Sequence, residues 1–430
     1  MDIEQLYQHF AVCTSVTTDS RNCPEGSLFF ALKGESFDGN KFALSSLEKG
    51  CRYAVVDDPQ YAIDGRFLLV ENCLEALQQL AKEHRLRLGT PIVGITGTNG
   101  KTTTKELIAA VLSKKYNTLF TQGNLNNHIG VPLTLLGLKP EHEMAVVEMG
   151  ANHPGEIRTL ANIACPDFGI ITNVGKAHLE GFGSFEGVIR TKGELYDYIR
   201  ENRGSLFVNL DNPILNDLSA TITHEGYALS SDEAVVKGRI ISDGPFLKLV
   251  WKHSEEAIEH TVNTNLIGEY NAENVLAAIC IGSHFGVTPE QINEALETYQ
   301  PTNNRSQFKK TEKNELIIDA YNANPTSMNA SVTNFKHIKA DKKAVILGDM
   351  FELGDQSEEE HEKIVALLKE CGFDKVILVG ERFGAISSDF IKFAETSSLM
   401  EYLEQNAMVG YTILVKGSHG MRLDKCVEQL

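Results

Sequence analysis

No apolar run in the 430-residue sequence approaches the roughly 18 residues that a membrane-spanning helix requires, so no span is expected. There is no Cys-x-x-Cys pair, and no histidine cluster sits at zinc-ligand spacing; the eight cysteines are scattered. Neither a disulfide framework nor a structural zinc is expected, and a reducing cytoplasm is the natural compartment. The start Met1-Asp2-Ile3-Glu4-Gln5 lacks the basic opening and apolar core of a secretory signal, which again leads to a cytoplasmic expectation. Positive charge is in deficit: 40 lysines and arginines face 58 aspartates and glutamates, for a formal net charge of −18. That balance argues against broad binding to nucleic acid or acidic membranes, although one locally basic pocket can still hold phosphates. Internal repeats and low-complexity segments are absent too.

What remains is an ordinary globular composition, 42% hydrophobic and 23% charged, in a chain longer than one hydrophobic core usually serves. Two or three α/β domains are expected, and three blocks are visible. Residues 1–87 hold short β-type runs at 28–32, 53–56 and 67–70, then leucines and alanines at helical spacing from Cys73 to Leu86. This small α/β unit ends near Gly89-Thr90-Pro91. The block 88–301 opens with an apolar strand over 92–95, a glycine-rich turn and a helical pattern over 103–112. Buried-type strands follow at 144–148, 169–172 and 206–209, and a helix over 288–299 closes the block. Strands apolar throughout, alternating with helices, indicate a mainly parallel sheet covered on both faces. The block 302–430, entered through Pro301-Thr302-Asn303-Asn304, repeats that logic with strands at 316–319, 344–347, 376–379 and 412–415. A Rossmann-like domain is its natural reading. The run Glu358-Glu359-Glu360 reads as a solvated helix start, where acids suit the helix dipole.

The turn Gly97-Thr98-Asn99-Gly100-Lys101-Thr102 lies between a strand and a helix. There, backbone N–H groups can point at phosphate oxygens and the helix N-terminus adds positive potential. Lys101 would reach the β- and γ-phosphates, and the Thr102 hydroxyl would bind Mg²⁺. The general G-x-x-x-x-G-K-[ST] pattern wants glycine where this chain has Ile95, and a chance Gly-Lys-Thr in a surface turn is the bland alternative. Three later residues sharpen the picture. Glu148 ends a buried strand, on the edge where doubly wound sheets hold ligands. His178 follows the strand 169–172 in a loop, and Lys192 opens the next helix. Each also has an ordinary reading: strand cap, surface histidine, solvated lysine.

Together these residues resemble the Mur ligase family, and within it most closely the branch that adds D-alanyl-D-alanine. The likeness runs over nearly the whole chain. It is carried by Thr96-Gly97-Thr98-Asn99-Gly100-Lys101-Thr102-Thr103, by Glu148-Met149-Gly150-Ala151-Asn152-His153-Pro154-Gly155-Glu156, by Asn173-Val174-Gly175-Lys176-Ala177-His178 and by Lys192-Gly193-Glu194. Asp319-Ala320-Tyr321-Asn322-Ala323-Asn324-Pro325 and Leu347-Gly348-Asp349-Met350 extend it toward the C-terminus. The resemblance implies three domains: a small α/β one for a UDP-sugar (1–87), a central phosphate-loop ATPase (88–301) and a Rossmann-like one for the incoming amine (302–430). It implies that ATP, UDP-N-acetylmuramoyl-tripeptide and D-alanyl-D-alanine react through an acyl phosphate, and that the protein is a monomer.

Residue roles follow from the same resemblance. Gly97, Thr98, Asn99, Gly100, Lys101, Thr102 and Thr103 would hold the nucleotide phosphates. Thr102 and Glu148 would bind one Mg²⁺; Glu148, His178 and a carbamylated Lys192 would serve a second, because a carbamate turns a repelling ammonium into an oxygen ligand. Asn271 and Asn274, in Gly268-Glu269-Tyr270-Asn271-Ala272-Glu273-Asn274, suit the adenine edge, with Tyr270 standing where histidine is common. Arg305 and Asp319 would reach phosphate and ribose from the third domain, across a cleft that closes for catalysis. Ser20 and Arg21 are candidates for the UDP end, and Asn126 and Asn127 for the muramoyl or acyl-phosphate part. A sister ligase with an Asp-Asn-Pro-Arg signature is the nearest rival, but here Ile214 follows Asp211-Asn212-Pro213, which reads as a turn. A folylpolyglutamate-type ligase would leave the first block unexplained. A nucleotide switch without catalysis would not need Lys101, Glu148, His178 and Lys192 together.

Overall fold

The computed structural model describes residues 1–242, 244–301 and 305–430. The described strands form three sheets, one in each block. In the first, Val16–Thr17, Leu28–Phe30, Tyr53–Val56 and Phe67–Leu69 lie parallel in chain order. The helix Ile3–Phe10, absent from the sequence reading, starts at a reciprocal capping box: Asp2 accepts from Gln5 N while the Gln5 side chain accepts from Asp2 N. The helix Cys73–Leu88 runs from an Asn72 cap to Gly89, whose left-handed backbone (φ +67°) ends it.

The central sheet runs His260–Ile267, Phe246–His253, Val236–Ile240, His224–Ala228, Ser205–Asn209, Phe168–Ile171, Ile92–Thr96, Met144–Glu148 and Thr118–Phe120 from edge to edge. The strands from Val236–Ile240 onward are parallel, and Phe246–His253 and His260–Ile267 extend them as an antiparallel hairpin. The third sheet places Gln307–Lys310 antiparallel at one edge of the parallel strands Glu315–Asp319, Thr412–Lys416, Lys343–Gly348, Lys375–Val379 and Ile391–Phe393. Among the described residues no helix is long and apolar enough to cross a membrane. All eight cysteines are free thiols.

The first block and one face of the central sheet share a single core. Leu77, Leu80 and Ala81 of the helix Cys73–Leu88 pack in the same cluster as Val131, Leu135, Ile157 and Leu160. Each such leucine, withdrawn from water, stabilises the joint by about 2 kcal/mol. Polar groups at the end of the helix are also committed there. Arg85, nearly buried, donates to Ala164 O and Cys165 O and pairs with Asp167, and His84 Nε2 lies 2.9 Å from Leu138 O. The other face of the central sheet is covered by Lys101–Leu112 and Ala272–His284, through Leu107, Ile108, Val275 and Ile279.

Two sequence expectations change. Lys192 does not open a helix: Phe185–Glu201 begins at a Ser184 cap, and Lys192 lies buried in its middle. Glu360 is not solvated either. Ser357–Cys371 does start with the acidic turn, yet Glu360 is buried and pairs with Lys176 and Lys363 at 3.0 Å each. By contrast, Asn212 caps the helix Pro213–Ser219, as the turn reading of Asp211-Asn212-Pro213 expects.

Candidate active site

Three neighbouring strands deliver the site. Ile95 is in register with Glu148 on one side and Ile170 on the other, so the turns after Thr96, Glu148 and Ile171 leave the same sheet edge. Edges outside the carboxyl ends of parallel strands are where such sheets hold ligands. Ile95, where the general phosphate-loop pattern wants glycine, is wholly buried in the core.

After Thr96 the chain turns through Gly97 at φ +146°, where a Cβ would lie 2.0 Å from Thr172 Oγ1. Gly100 (φ +76°) precedes the helix Lys101–Leu112, and no side chain caps it. The first N–H groups of that helix therefore remain available to an anion, and the dipole favours one. The loop is braced by the neighbouring strand's exit. Thr98 N donates to Asn173 O at 3.0 Å, Asn99 N donates to Asn173 Oδ1 at 2.9 Å, and Thr172 Oγ1 donates to Asn99 O at 2.7 Å. Lys101 Nζ donates to Gly97 O and Thr98 O at 2.8 and 3.0 Å. Burial lowers its pKa and the charge of Arg305 lowers it further, with Glu148 opposing.

Glu148 is 1% exposed. Thr102 Oγ1 donates to its Oε2 at 2.9 Å and Asn126 Nδ2 to its Oε1 at 2.8 Å, so both hydrogen bonds come from neutral groups. Asn127 Oδ1 accepts from Ile129 N and Gly130 N in the turn that leads into the helix Gly130–Leu135. Thr104 Oγ1 donates to Asn274 Oδ1, Asn274 Nδ2 to Asn271 Oδ1, and Asn271 Nδ2 to Ile267 O, a chain that fixes both asparagines and holds Asn274 beside Gly100.

The third domain completes the enclosure. The Arg305 guanidinium lies 3.8 Å from the Tyr321 ring centroid, and its Nε is buried without a partner. Asp319 pairs with Lys416 and accepts from Ser331 Oγ at 3.2 Å. Thr98, Asn99, Gly100, Lys101, Thr102, Thr103, Asn126, Asn127, Glu148, His178, Asn271, Asn274, Arg305 and Asp319 all line one cavity of about 1000 Å³, whereas Gly97 packs behind it against Thr172. The cleft expected between the domains is already bridged. Asn324 Nδ2 donates to Asn99 Oδ1 at 2.7 Å, Lys176 N donates to Thr326 Oγ1 at 3.2 Å, and His178 Nδ1 lies against the Glu352 carboxylate.

Lys192 is not on the cavity wall. It is 2% exposed, with Nζ 5.3 Å from the Phe182 ring centroid. Burial, helped by the nearby Lys101 charge, brings its pKa down to about 7. Ser20 and Arg21 lie apart from the main cavity, on a second one of about 430 Å³ shared with Phe29, Phe37 and Phe42; Arg21 is held at 2.9 Å by Asp19. Sequence reasoning assigned no role to Asn173, which braces the phosphate loop, or to Lys416, which neutralises Asp319. Lys416 carries the same signal as Glu148, a charged residue ending an apolar strand.

Known proteins resemble the chain along nearly its whole length. A family model described as the Mur ligase middle domain matches residues 95–282, one for the Mur ligase glutamate ligase domain matches 304–419, and one for the Mur ligase family catalytic domain matches 12–85. A protein of Bacillus subtilis named UDP-N-acetylmuramoyl-tripeptide--D-alanyl-D-alanine ligase is 36% identical, over 97% of this chain and 93% of its own length. An Escherichia coli protein of the same name is also 36% identical, with the same coverage. Among solved structures, MurF from Acinetobacter baumannii superposes with a TM-score of 0.89 at 30% identity, covering 100% of this chain and 98% of that one. The MurF ligase of Thermotoga maritima in complex with ADP gives 0.87 at 26% identity, covering 98% and 97%. With family models reaching from the first sheet to the last strand, and relatives alike along nearly their full length, this chain belongs to the Mur ligase family.

Proposed function

We propose that the chain is an ATP-dependent ligase that joins D-alanyl-D-alanine to UDP-N-acetylmuramoyl-tripeptide through an acyl phosphate, in the cytoplasm and as a monomer. The observation that carries this reading is the shared cavity. Into it face the uncapped start of the helix Lys101–Leu112, the Thr102–Glu148 pair, and Arg305 with Asp319 from the third domain. The relatives' names supply the two substrates. The domain limits 1–87, 88–301 and 302–430 belong to the proposal; the limit between 301 and 302 falls at Thr302, outside the described residues.

A carboxylate is a poor electrophile and needs activation. The tripeptide's terminal carboxylate oxygen attacks the γ-phosphorus of ATP, and ADP departs. The amine of D-alanyl-D-alanine then adds to the acyl carbon, the nitrogen loses a proton, and the tetrahedral adduct expels phosphate. In this chain the first amides of the helix Lys101–Leu112, with the Lys101 side chain, hold the phosphates and offset charge gathering on the transferring group. Arg305, with its free Nε, serves the phosphates; Asp319 suits ribose hydroxyls; Asn271 and Asn274 suit the adenine edge. Asn126 and Asn127 attend the acyl end, and Ser20 with Arg21 the UDP end. Thr102 and Glu148 are hard oxygen donors of the kind Mg²⁺ takes, with His178 and a carbamylated Lys192 for a second ion; the metal neutralises phosphate charge when bound. Lys192 suits the carbamate because, with a pKa of about 7, much of its amine is neutral near pH 7. The neutral amine adds CO₂, losing a proton and leaving an anionic oxygen ligand.

The test is a substrate matrix. Phosphate release is expected only when ATP, a UDP-muramoyl tripeptide and D-alanyl-D-alanine are present together; no product from that combination overturns the reading. Full activity of Lys192→Ala, with or without added short carboxylates, would remove the carbamate.

A further inference from the structure

Tyr270 sits in the short turn Glu269–Asn271, between the last strand of the central sheet and the helix Ala272–His284. Its ring packs against Gly268: a Cβ there, at φ +96°, would come within 2.3 Å of Tyr270 Cε1. The ring is thereby pinned, and its hydroxyl lies 2.8 Å from Ser306 Oγ. Burial, together with the charge of Asp319, pushes the phenol well above its ordinary range, so it stays protonated and can donate. Ser306 is one of few non-glycine residues with a left-handed backbone (φ +47°), a conformation that needs outside support. Its N–H points to Asp319 Oδ1 at 3.4 Å, and it directly follows Arg305. One hydrogen bond therefore links the central domain to the residue that follows Arg305 and reaches Asp319, two of the charged groups that the third domain brings to the cavity.

We infer that Tyr270 is a positioning residue: through Ser306 it sets Arg305 and Asp319 against the bound nucleotide. The inference rests on the reading that Arg305 and Asp319 hold the nucleotide. A neutral hydrogen bond of this kind contributes enough that its loss weakens what it positions by about fivefold. The helical asparagines Asn271 and Asn274 are fixed by their own chain of bonds and do not depend on the tether.

The experiment measures ADP affinity by calorimetry for the full-length protein, Tyr270→Phe, Ser306→Ala and the double variant, with Arg305→Ala and Asp319→Ala alongside. Tyr270→Phe and Ser306→Ala are each expected to weaken ADP about fivefold, and the double variant no more than either alone, because both remove one bond. Affinity for the UDP-muramoyl tripeptide and the thermal midpoint should stay at wild-type values, which a general packing defect would not allow. If Arg305→Ala and Asp319→Ala weaken ADP while the tether variants do not, the inference is wrong and the nucleotide reading stands. If Arg305→Ala and Asp319→Ala also bind ADP normally, the nucleotide reading has failed and the inference falls with it. Additive losses in the double variant, or an equal loss of UDP-tripeptide affinity, would overturn it as well.

Discussion

Asn324 reaches from the third domain to the phosphate loop, its Nδ2 donating to Asn99 Oδ1 at 2.7 Å. The same side chain caps the helix Pro325–His337 by accepting from Ser327 N. Asn324→Ser keeps a capping oxygen but is too short to reach Asn99. We expect a thermal midpoint close to wild type and a fall of roughly fivefold in the rate of phosphate release. An unchanged rate would mean that this contact does not help the closed arrangement.

Glu148 holds its place through neutral donors, which a glutamine can still partly satisfy. Glu148→Gln should therefore fold normally. The Mg²⁺ concentration giving half-maximal phosphate release should rise roughly tenfold or more. A magnesium titration that overlays the wild type would remove Glu148 from the metal site.

The three acids of Glu358-Glu359-Glu360 should behave unequally. Glu358 and Glu359 are exposed, and their replacement by glutamine should move stability by less than about 0.5 kcal/mol. Glu360 is buried between Lys176 of the central domain and Lys363 of its own helix. Glu360→Gln should cost about 1–3 kcal/mol in denaturant unfolding, since Lys176 loses this buried carboxylate and Lys363 keeps only Glu359. Equal effects at all three positions would contradict this.

His361 has no exposed surface and works at both nitrogens. Nδ1 donates to Ser357 O at 2.6 Å, and Nε2 accepts from Met350 N at 3.1 Å, which only the neutral ring can do. Burial lowers its pKa, against the opposing pull of the Ser357 carbonyl and Asp349. The unfolded chain, titrating near 6.5, therefore binds more protons than the folded one just below that pH. The contribution is complete above about pH 6.5 and is lost as pH falls toward the lowered folded value. The stability gap between wild type and His361→Gln should narrow from pH 7 to pH 5; a gap constant with pH would count against it.

Strands buried on both faces were legible because they read as unbroken apolar runs, as at Ile92–Thr96, Met144–Glu148 and Lys375–Val379. The hairpin Phe246–His253 and His260–Ile267 escaped notice because only alternate residues are buried and its polar positions break the run. The edge strands Gln307–Lys310 and Ile391–Phe393 are short and half-exposed. The phosphate loop, Glu148 and His178 could be read from their places after apolar strands. The partnership of Glu360 with Lys176 could not, because the two lie 184 residues apart and nothing local distinguishes Glu360 from its neighbours. Lys192 was found as a residue but misplaced along its helix, which begins seven residues earlier at Phe185.

The helix Cys73–Leu88 belongs by sequence to the first block and by packing to two. A shortened chain beginning at residue 88 would bare Val131, Leu135, Ile157 and Leu160, and leave Leu138 O and Ala164 O without the groups that now meet them. The first block is therefore not a detachable module, and grafting it from a relative would succeed only if the receiving face were exchanged with it. The two blocks should melt as one.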